Sequence, residues 1–222
     1  MHDLNDHVAA VLALIDGLPH PDGRIMIGIA GPPGSGKSTL ADRVVAALND
    51  RRGDGAAALL PMDGYHLDNA TLDARGLRAV KGAPDTFDAA GFVALVRRIR
   101  HEAGDLRYPL FDRAADSTVP DAGFLRADTE IVVAEGNYLL LRDGAWADLR
   151  DIFDATVMIA PPIAVLEERL IERWLSYGLS PEAAATRARG NDLANARTVL
   201  ALSAAADLHI APITKTDSAT GT

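Results

Sequence analysis

The residues best suited to chemistry fall at three places in the chain. The first is Gly31-Pro32-Pro33-Gly34-Ser35-Gly36-Lys37-Ser38, followed directly by Thr39. Its spacing is that of a phosphate-binding loop. Glycines let successive backbone N–H groups turn inward on a phosphate, and the start of a helix adds partial positive charge. Lys37 is expected to bridge the β- and γ-phosphates of a nucleotide, and the Ser38 hydroxyl to ligate Mg²⁺. Thr39 is a further phosphate donor. The second and third places are Asp63 and Glu135, each followed by a glycine. Phosphoryl transfer needs a phosphate clamp, a carboxylate to take the acceptor's proton and a carboxylate near the metal. Against these readings stand an accidental glycine-rich turn, a plain Asp-Gly turn at Asp63-Gly64 and a solvated strand end at Glu135.

The surrounding elements decide between them. The apolar run Ile25-Met26-Ile27-Gly28-Ile29-Ala30 leads straight into the loop, and helix-forming sequence begins at Lys37. Strand signals cover residues 24–30, 57–62, 129–134, 155–160 and 207–211. Helix signals cover about 3–16, 37–49, 88–102, 162–177 and 190–204. Near-continuous apolar strands alternating with helices predict a mostly parallel sheet covered on both faces, the three-layer α/β fold of a P-loop NTPase. Ligands of such sheets sit at the carboxyl ends of the strands. Three strands end at the loop bearing Lys37, at Asp63 and at Glu135, so these groups are expected on one edge.

Two stretches, 64–87 and 104–128, are rich in Gly, Pro, Asp and Arg. They are too long for plain connectors and are expected to bind substrate. Within or beside them, Tyr65, His66, Lys81, Asp85, Tyr108 and Arg113 are candidate substrate residues. A third stretch, 177–190, reads as the mobile part of a lid spanning about 169–190. Arg169 and Arg173 are four apart on a helix and share a face. Cations there would close over the γ-phosphate, stabilise its charge and exclude water; the alternative is a solvated face paired with Glu167, Glu168 and Glu172. Arg187 and Arg189 are weaker candidates. Trp174 and Tyr177 are expected to pack the lid helix, and His2, His7, His20 and His101 to lie at the surface.

The 222 residues suit a single domain over 1–222 with insertions and a lid. There is no cysteine, which excludes disulfides and thiolate metal sites and is compatible with a cytoplasmic location. The acidic start lacks the order of a signal peptide, and no apolar run is long enough to span a bilayer. A formal net charge of −9 argues against a nucleic-acid partner but not against a nucleotide substrate. Residues 215–222 are small and polar and are expected to fray. A homodimer is left open.

The order Gly31 to Ser38, Asp63-Gly64-Tyr65-His66, Pro84-Asp85-Thr86-Phe87-Asp88, Tyr108-Pro109-Leu110-Phe111-Asp112, Glu135-Gly136 and Arg169/Arg173 resembles the uridine kinase, phosphoribulokinase and bacterial pantothenate kinase superfamily. The resemblance covers nearly the whole chain. Met62-Asp63-Gly64-Tyr65-His66 and Lys81-Gly82-Ala83-Pro84 are shared with bacterial proteins called fructose transport system kinases. It implies a nucleoside-kinase-like fold that uses ATP and Mg²⁺ to phosphorylate a small-molecule alcohol. Asp63 is then the catalytic base, Glu135 assists the metal, and Arg169 and Arg173 reach phosphate. Uridine kinases carry a ribose-binding aspartate where this chain has Gly82. Where they offer an aromatic and a histidine to the uracil ring, this chain has Arg113 and Asp116. Charge at Lys81, Arg113 and Asp116 tilts the expectation from a nucleoside toward a sugar, polyol or anionic alcohol, with fructose one candidate. Uridine- or pantothenate-kinase-like activity is the alternative. A GTPase is a further one, since Thr214-Lys215-Thr216-Asp217 resembles a guanine-reading motif, but Glu135-Gly136 departs from the aspartate such proteins carry. A non-catalytic ATP-binding regulator is disfavoured by the intact Lys37, Asp63 and Glu135.

Overall fold

The computed structural model describes residues 4–19 and 23–210. Strands β1 (Ile25–Ala30), β2 (Ala57–Pro61), β5 (Ile131–Gly136), β6 (Ala155–Ile159) and β7 (Leu208–Ile210) form a parallel sheet in the order β2-β5-β1-β6-β7. The three-layer α/β fold expected from the sequence is the one observed. Every residue of β1, β5 and β6 is buried because both faces of the sheet are covered. The pleat divides them: Ile25, Ile27 and Ile29 face a core built with helices α1 (Leu4–Asp16) and α2 (Lys37–Arg52). Met26 and Ala30 face the opposite core, built with α4 (Ala89–His101) and the turn around Trp146.

The two expected insertions have more structure than their composition implies. Residues 64–87 contain short 3-10 turns and a helix, α3 (Asn69–Ala74), whose start is capped by the Asp68 carboxylate accepting from Thr71 N at 2.8 Å. Residues 104–128 hold an antiparallel hairpin, β3 (Leu106–Asp112) and β4 (Ser117–Leu125), with a register shift at Pro109. Pro109 has no N–H to give a ladder, which is why the shift falls there. Most of β4 is exposed, so no inward-outward alternation marked it in the sequence.

The last third forms a small helical unit. Helix α5 (Ile163–Ser176) is followed by α6 (Pro181–Arg187), a π turn over Ala188–Asp192, and α7 (Leu193–Leu202). The stretch 177–190 is therefore mostly helical, with Ser180 capping α6 and proline at its first position. Leu166, Leu170, Ala188, Leu193 and Ala196 give this unit its own core. No helix among the described residues is long and apolar enough to cross a membrane. The segments 211–222, including Thr214 to Asp217, and the residues His2 and His20 lie outside the described residues.

Candidate active site

The phosphate loop takes a shape that its glycines permit. Gly34 and Gly36 adopt φ of 79° and 93°, a left-handed backbone that glycine enters without strain. Gly31 is needed for a close approach: a Cβ there would lie 2.7 Å from the Ile159 carbonyl oxygen and from Ser35 Oγ. Helix α2 starts at Lys37, so its first N–H groups face the loop.

Strand register brings the carboxylates alongside. Glu135 on β5 is level with Ile29 of β1 and Pro61 of β2, and Asp63 follows β2 by two residues. Lys37, Ser38, Asp63 and Glu135 thus line one cleft of ≈580 Å³. Ser38 Oγ donates to Glu135 Oε1 at 3.1 Å, while Glu135 Oε2 is buried without a hydrogen-bond partner. Burial raises the Glu135 carboxyl, against the pull of Lys37. Burial also pushes the Lys37 ammonium down, against the pull of Glu135 and Asp63. Both charges are poorly solvated, so an anion entering beside Lys37, or a cation beside Glu135, meets a group in need of a partner.

The opposite wall comes from the two insertions. Arg113 Nη2 donates to Asp63 Oδ2 at 2.5 Å. The His66 ring lies between Phe87 and Phe111, with centroid separations of 4.1 and 4.5 Å. Its Nδ1 is 2.8 Å from the Asp63 carbonyl oxygen, which can only accept, so the proton sits on Nδ1. Burial lowers the His66 pKa. Lys81 Nζ donates to Asn69 Oδ1 (2.8 Å), Asp116 Oδ1 (2.7 Å) and the Asp116 carbonyl (3.1 Å), so its three donors are engaged. It also lies 5.0 Å from the Phe111 ring centre. Arg78 approaches the same Asp116 at 3.6 Å.

The helical unit supplies a third wall. Arg173 and Arg187 line the cleft and both lie near the Trp174 ring, at 5.7 and 5.1 Å. Asp192 accepts from Trp174 Nε1 at 2.6 Å; burial raises its pKa against that bond and the pull of the two arginines. Arg169 goes elsewhere. Its guanidinium donates to the Gly34 and Ser35 carbonyls at 3.4 and 3.2 Å, outside the main cleft, beside a smaller cavity between the loop and α1. Arg189 pairs with Glu167 at 2.6 Å, away from the cleft.

Of the residues singled out from sequence, the loop glycines Gly34 and Gly36 line the cleft with Pro33, Lys37, Ser38, Thr39, Asp63, His66, Lys81, Arg113, Glu135 and Arg173. Gly31, Pro32 and Ser35 form the buried base of the loop. Besides Arg169, three candidates are not brought to the cleft. Tyr65 packs edge-on against Phe92 in the core, and Tyr108 is buried with its hydroxyl donating to the Leu59 carbonyl at 2.8 Å. Asp85 sits exposed on a 3-10 turn. His7 corrects an expectation: it is buried, because it shares the inward face of α1 with Val11 and Ile15. His101 is exposed, as expected.

Sequence reasoning passed over Arg78, Asn137, Asp192 and Asn195, which also line the cleft. Asn137, two residues beyond Glu135, was within reach of the strand-end argument. Asp192 and Asn195 depend on a π turn that has no sequence signature, so nothing pointed to them.

No family model matches the chain. A crystal structure from Silicibacter sp. TM1040, described provisionally as a fructose transport system kinase, is 42% identical, with a TM-score of 0.86 over 95% of this chain and all of that one. A Schizosaccharomyces pombe protein, named provisionally as uridine kinase C227.14, is 37% identical over 78% of this chain and 76% of its own length. The chain belongs to the superfamily of uridine kinases, phosphoribulokinases and bacterial pantothenate kinases. This P-loop kinase is also 36% identical to Escherichia coli YggC, itself uncharacterised, over 91% of this chain and 82% of that protein. It is a nucleotide-binding phosphotransferase, and its cleft is the place to seek the kinase's two substrates.

Proposed function

We propose that this kinase transfers the γ-phosphate of ATP to an alcohol group of a small molecule, a sugar or polyol-type acceptor rather than a nucleoside, with fructose one candidate. The observation that carries the reading is the convergence of Lys37, Asp63 and Glu135 on one cleft at the carboxyl ends of three parallel strands. The acceptor wall argues against a nucleobase. Its aromatic rings are stacked on His66 and Lys81, and its remaining groups are charged.

The donor set fits Mg²⁺. Glu135 Oε2 is buried and unpartnered, with the Ser38 hydroxyl beside it. Mg²⁺ at phosphoryl-transfer sites takes one or two protein ligands and completes its shell with phosphate and water. When bound, the ion neutralises charge on the β- and γ-phosphate oxygens.

Lys37 and the loop N–H groups hold the phosphates. Asp63 accepts the proton of the acceptor hydroxyl as an in-line transfer proceeds through a loose, charge-dispersed transition state. Arg173 and Arg187 steady the charge on the transferring group from the lid, about residues 169–190, and help exclude water. Arg169 contributes by holding the loop's own carbonyls. The absence of cysteine is compatible with a cytoplasmic setting.

The test is a coupled ADP-release screen over sugars, polyols, nucleosides and pantothenate. Asp63→Asn is expected to keep nucleotide affinity and lose about 10²-fold or more in acceptor phosphorylation. Lys37→Ala, as the contrasting control, should weaken nucleotide binding itself. Normal turnover by Asp63→Asn would remove Asp63 as the base.

A further inference from the structure

Building on the kinase reading, we propose that Arg113 masks Asp63 in the empty site and is drawn off it by an anionic group on the acceptor. The acceptor is thus a sugar- or polyol-type alcohol that also carries a carboxylate or a phosphate monoester, which narrows the reading above and sets free fructose aside.

The cations of the acceptor wall differ in how they are held. Lys81 is nearly buried, with a side-chain exposure of 11%, and spends all its donors on Asn69 and Asp116. Arg78 lies between Asp73 at 3.8 Å and Asp116 at 3.6 Å. Arg113 has Asp63 as its only ion-pair partner among the described residues, and its side chain is 57% exposed. Its backbone is held while more than half of its side chain is open to solvent. The tip of the β3–β4 hairpin is tied by Asp112 Oδ1, which accepts from Ala114 N and Ala115 N at 2.8 and 3.0 Å. A fixed Cα with a solvent-facing guanidinium can pivot without disturbing the fold.

The pair at 2.5 Å occupies Oδ2, one of the two carboxylate oxygens through which Asp63 can act as the base. A neutral hydroxyl cannot compete for a guanidinium with an ionised carboxylate, because charge-assisted bonds are the stronger class. A second anion can, and Arg113 suits one: its planar fork binds carboxylate or phosphate through two parallel N–H donors. Charge balance agrees. Arg78, Lys81 and Arg113 face Asp63 and Asp116 across the acceptor half, and neutralising Asp63 with a proton leaves Arg113 without a counter-charge. An anionic acceptor supplies it.

With Arg113 on the acceptor's anion, Asp63 Oδ2 takes the hydroxyl proton while the acceptor oxygen bonds to the γ-phosphorus. The bond from that phosphorus to the β,γ-bridging oxygen breaks, its electron pair leaves on ADP, and the proton passes to solvent. Without an acceptor the mask stays closed, and Asp63 is kept from activating water against bound ATP.

The experiment compares wild type with Arg113→Met and Arg113→Lys. ATP hydrolysis without any acceptor should rise about 5-fold or more in Arg113→Met and by a smaller factor in Arg113→Lys, which keeps the charge but not the planar fork; a rate at or below wild type in Arg113→Met overturns the mask. ADP release is then measured with matched sets: glycerol, glycerate and glycerol 3-phosphate; fructose and fructose 6-phosphate; glucitol and gluconate. A charged member should show a KM about 10-fold or more below its neutral counterpart, and Arg113→Met should erase that difference. The carboxylate and phosphate arms tell the two anions apart. A neutral member used as well as its charged counterpart overturns the anionic acceptor while leaving the kinase reading standing. ADP release with no member of any set, by a protein that binds ATP, counts against the kinase reading itself.

Discussion

Gly64 offers a sharp separation between the two halves of the site. Its backbone is not left-handed, so alanine meets no conformational penalty there. The obstacle is contact: a Cβ on Gly64 would lie 2.0 Å from the Pro109 carbonyl oxygen and 2.7 Å from its carbon. Both are backbone atoms of β3, so no rotamer change relieves the overlap. Restoring ordinary contact needs the hairpin and the Asp63 turn to part by about 1.4 Å. That motion separates Asp63, the residue before Gly64, from Arg113 and Phe111 at the end of the hairpin. A misplacement of about 1 Å costs on the order of 10²-fold in rate. Gly64→Ala is therefore expected to lower kcat/KM for the acceptor by about 10²-fold. Overpacking costs about 1–3 kcal/mol, and in a chain of this size each kcal/mol lowers Tm by about 2–4 °C. The phosphate loop lies on the other side of Asp63 and should be untouched, so nucleotide affinity is expected to stay within about 3-fold. The assay pairs steady-state ADP release with calorimetric titration of a non-hydrolysable ATP analogue. Unchanged acceptor kinetics, or an equal loss in nucleotide affinity, would refute the reasoning that Gly64 is fixed by hairpin contact.

Two further outcomes follow from burial. Because the folded Glu135 carboxyl titrates above its unfolded value, its contribution to stability is present at low pH and is lost as pH rises through that raised pKa; without nucleotide and metal, Glu135→Gln should melt higher than wild type at pH 8 and converge with it below pH 4.5, yet gain less from Mg·ATP, as differential scanning fluorimetry would show. Arg24, only 6% exposed, donates to the carbonyls of Thr129, Ile99, Glu102, Gly104, Arg126 and Ala127, so Arg24→Leu should cost about 3–5 kcal/mol in urea unfolding while leaving kcat near wild type at low temperature.

The nucleotide half of the site was legible because it depends on local chemistry and on one rule of topology. Glycine spacing sets the loop, and parallel strands bring their carboxyl ends together whatever lies between them, so Lys37, Asp63 and Glu135 could be grouped from sequence. The acceptor half depends on contacts far apart in the chain. Lys81 is fixed by Asp116, 35 residues on, through a hairpin whose exposed second strand carries no clear period. Tyr65 and Tyr108 lie in the right segments but face the core, and segment membership says nothing about facing. Arg169 and Arg173 show the same limit on a helix: a spacing of four puts two Cα atoms on one face, while the long side chains end at the loop's carbonyls and in the cleft.

The two halves are not independent, and the π turn at Ala188–Asp192 is the reason. Asn191 Nδ2 donates to the Lys81 carbonyl at 2.7 Å, tying the turn to the acceptor wall. The next residue, Asp192, holds the Trp174 indole, on whose helix Arg173 stands. Adjacent side chains of one tight turn therefore fasten the acceptor segment and the arginine helix to the same backbone. Movement at Lys81 would reach Trp174 and Arg173 through this turn, and movement at Arg173 would return by the same route. Energies of substitutions on the two walls should then fail to add, since residues sharing one network couple. Hydrogen bonds from Asn191 and Asp192 join the Lys81 backbone to Trp174, and Arg173 and Arg187 lie against the Trp174 ring, so the Lys81 wall and the arginine helix belong to one contact network.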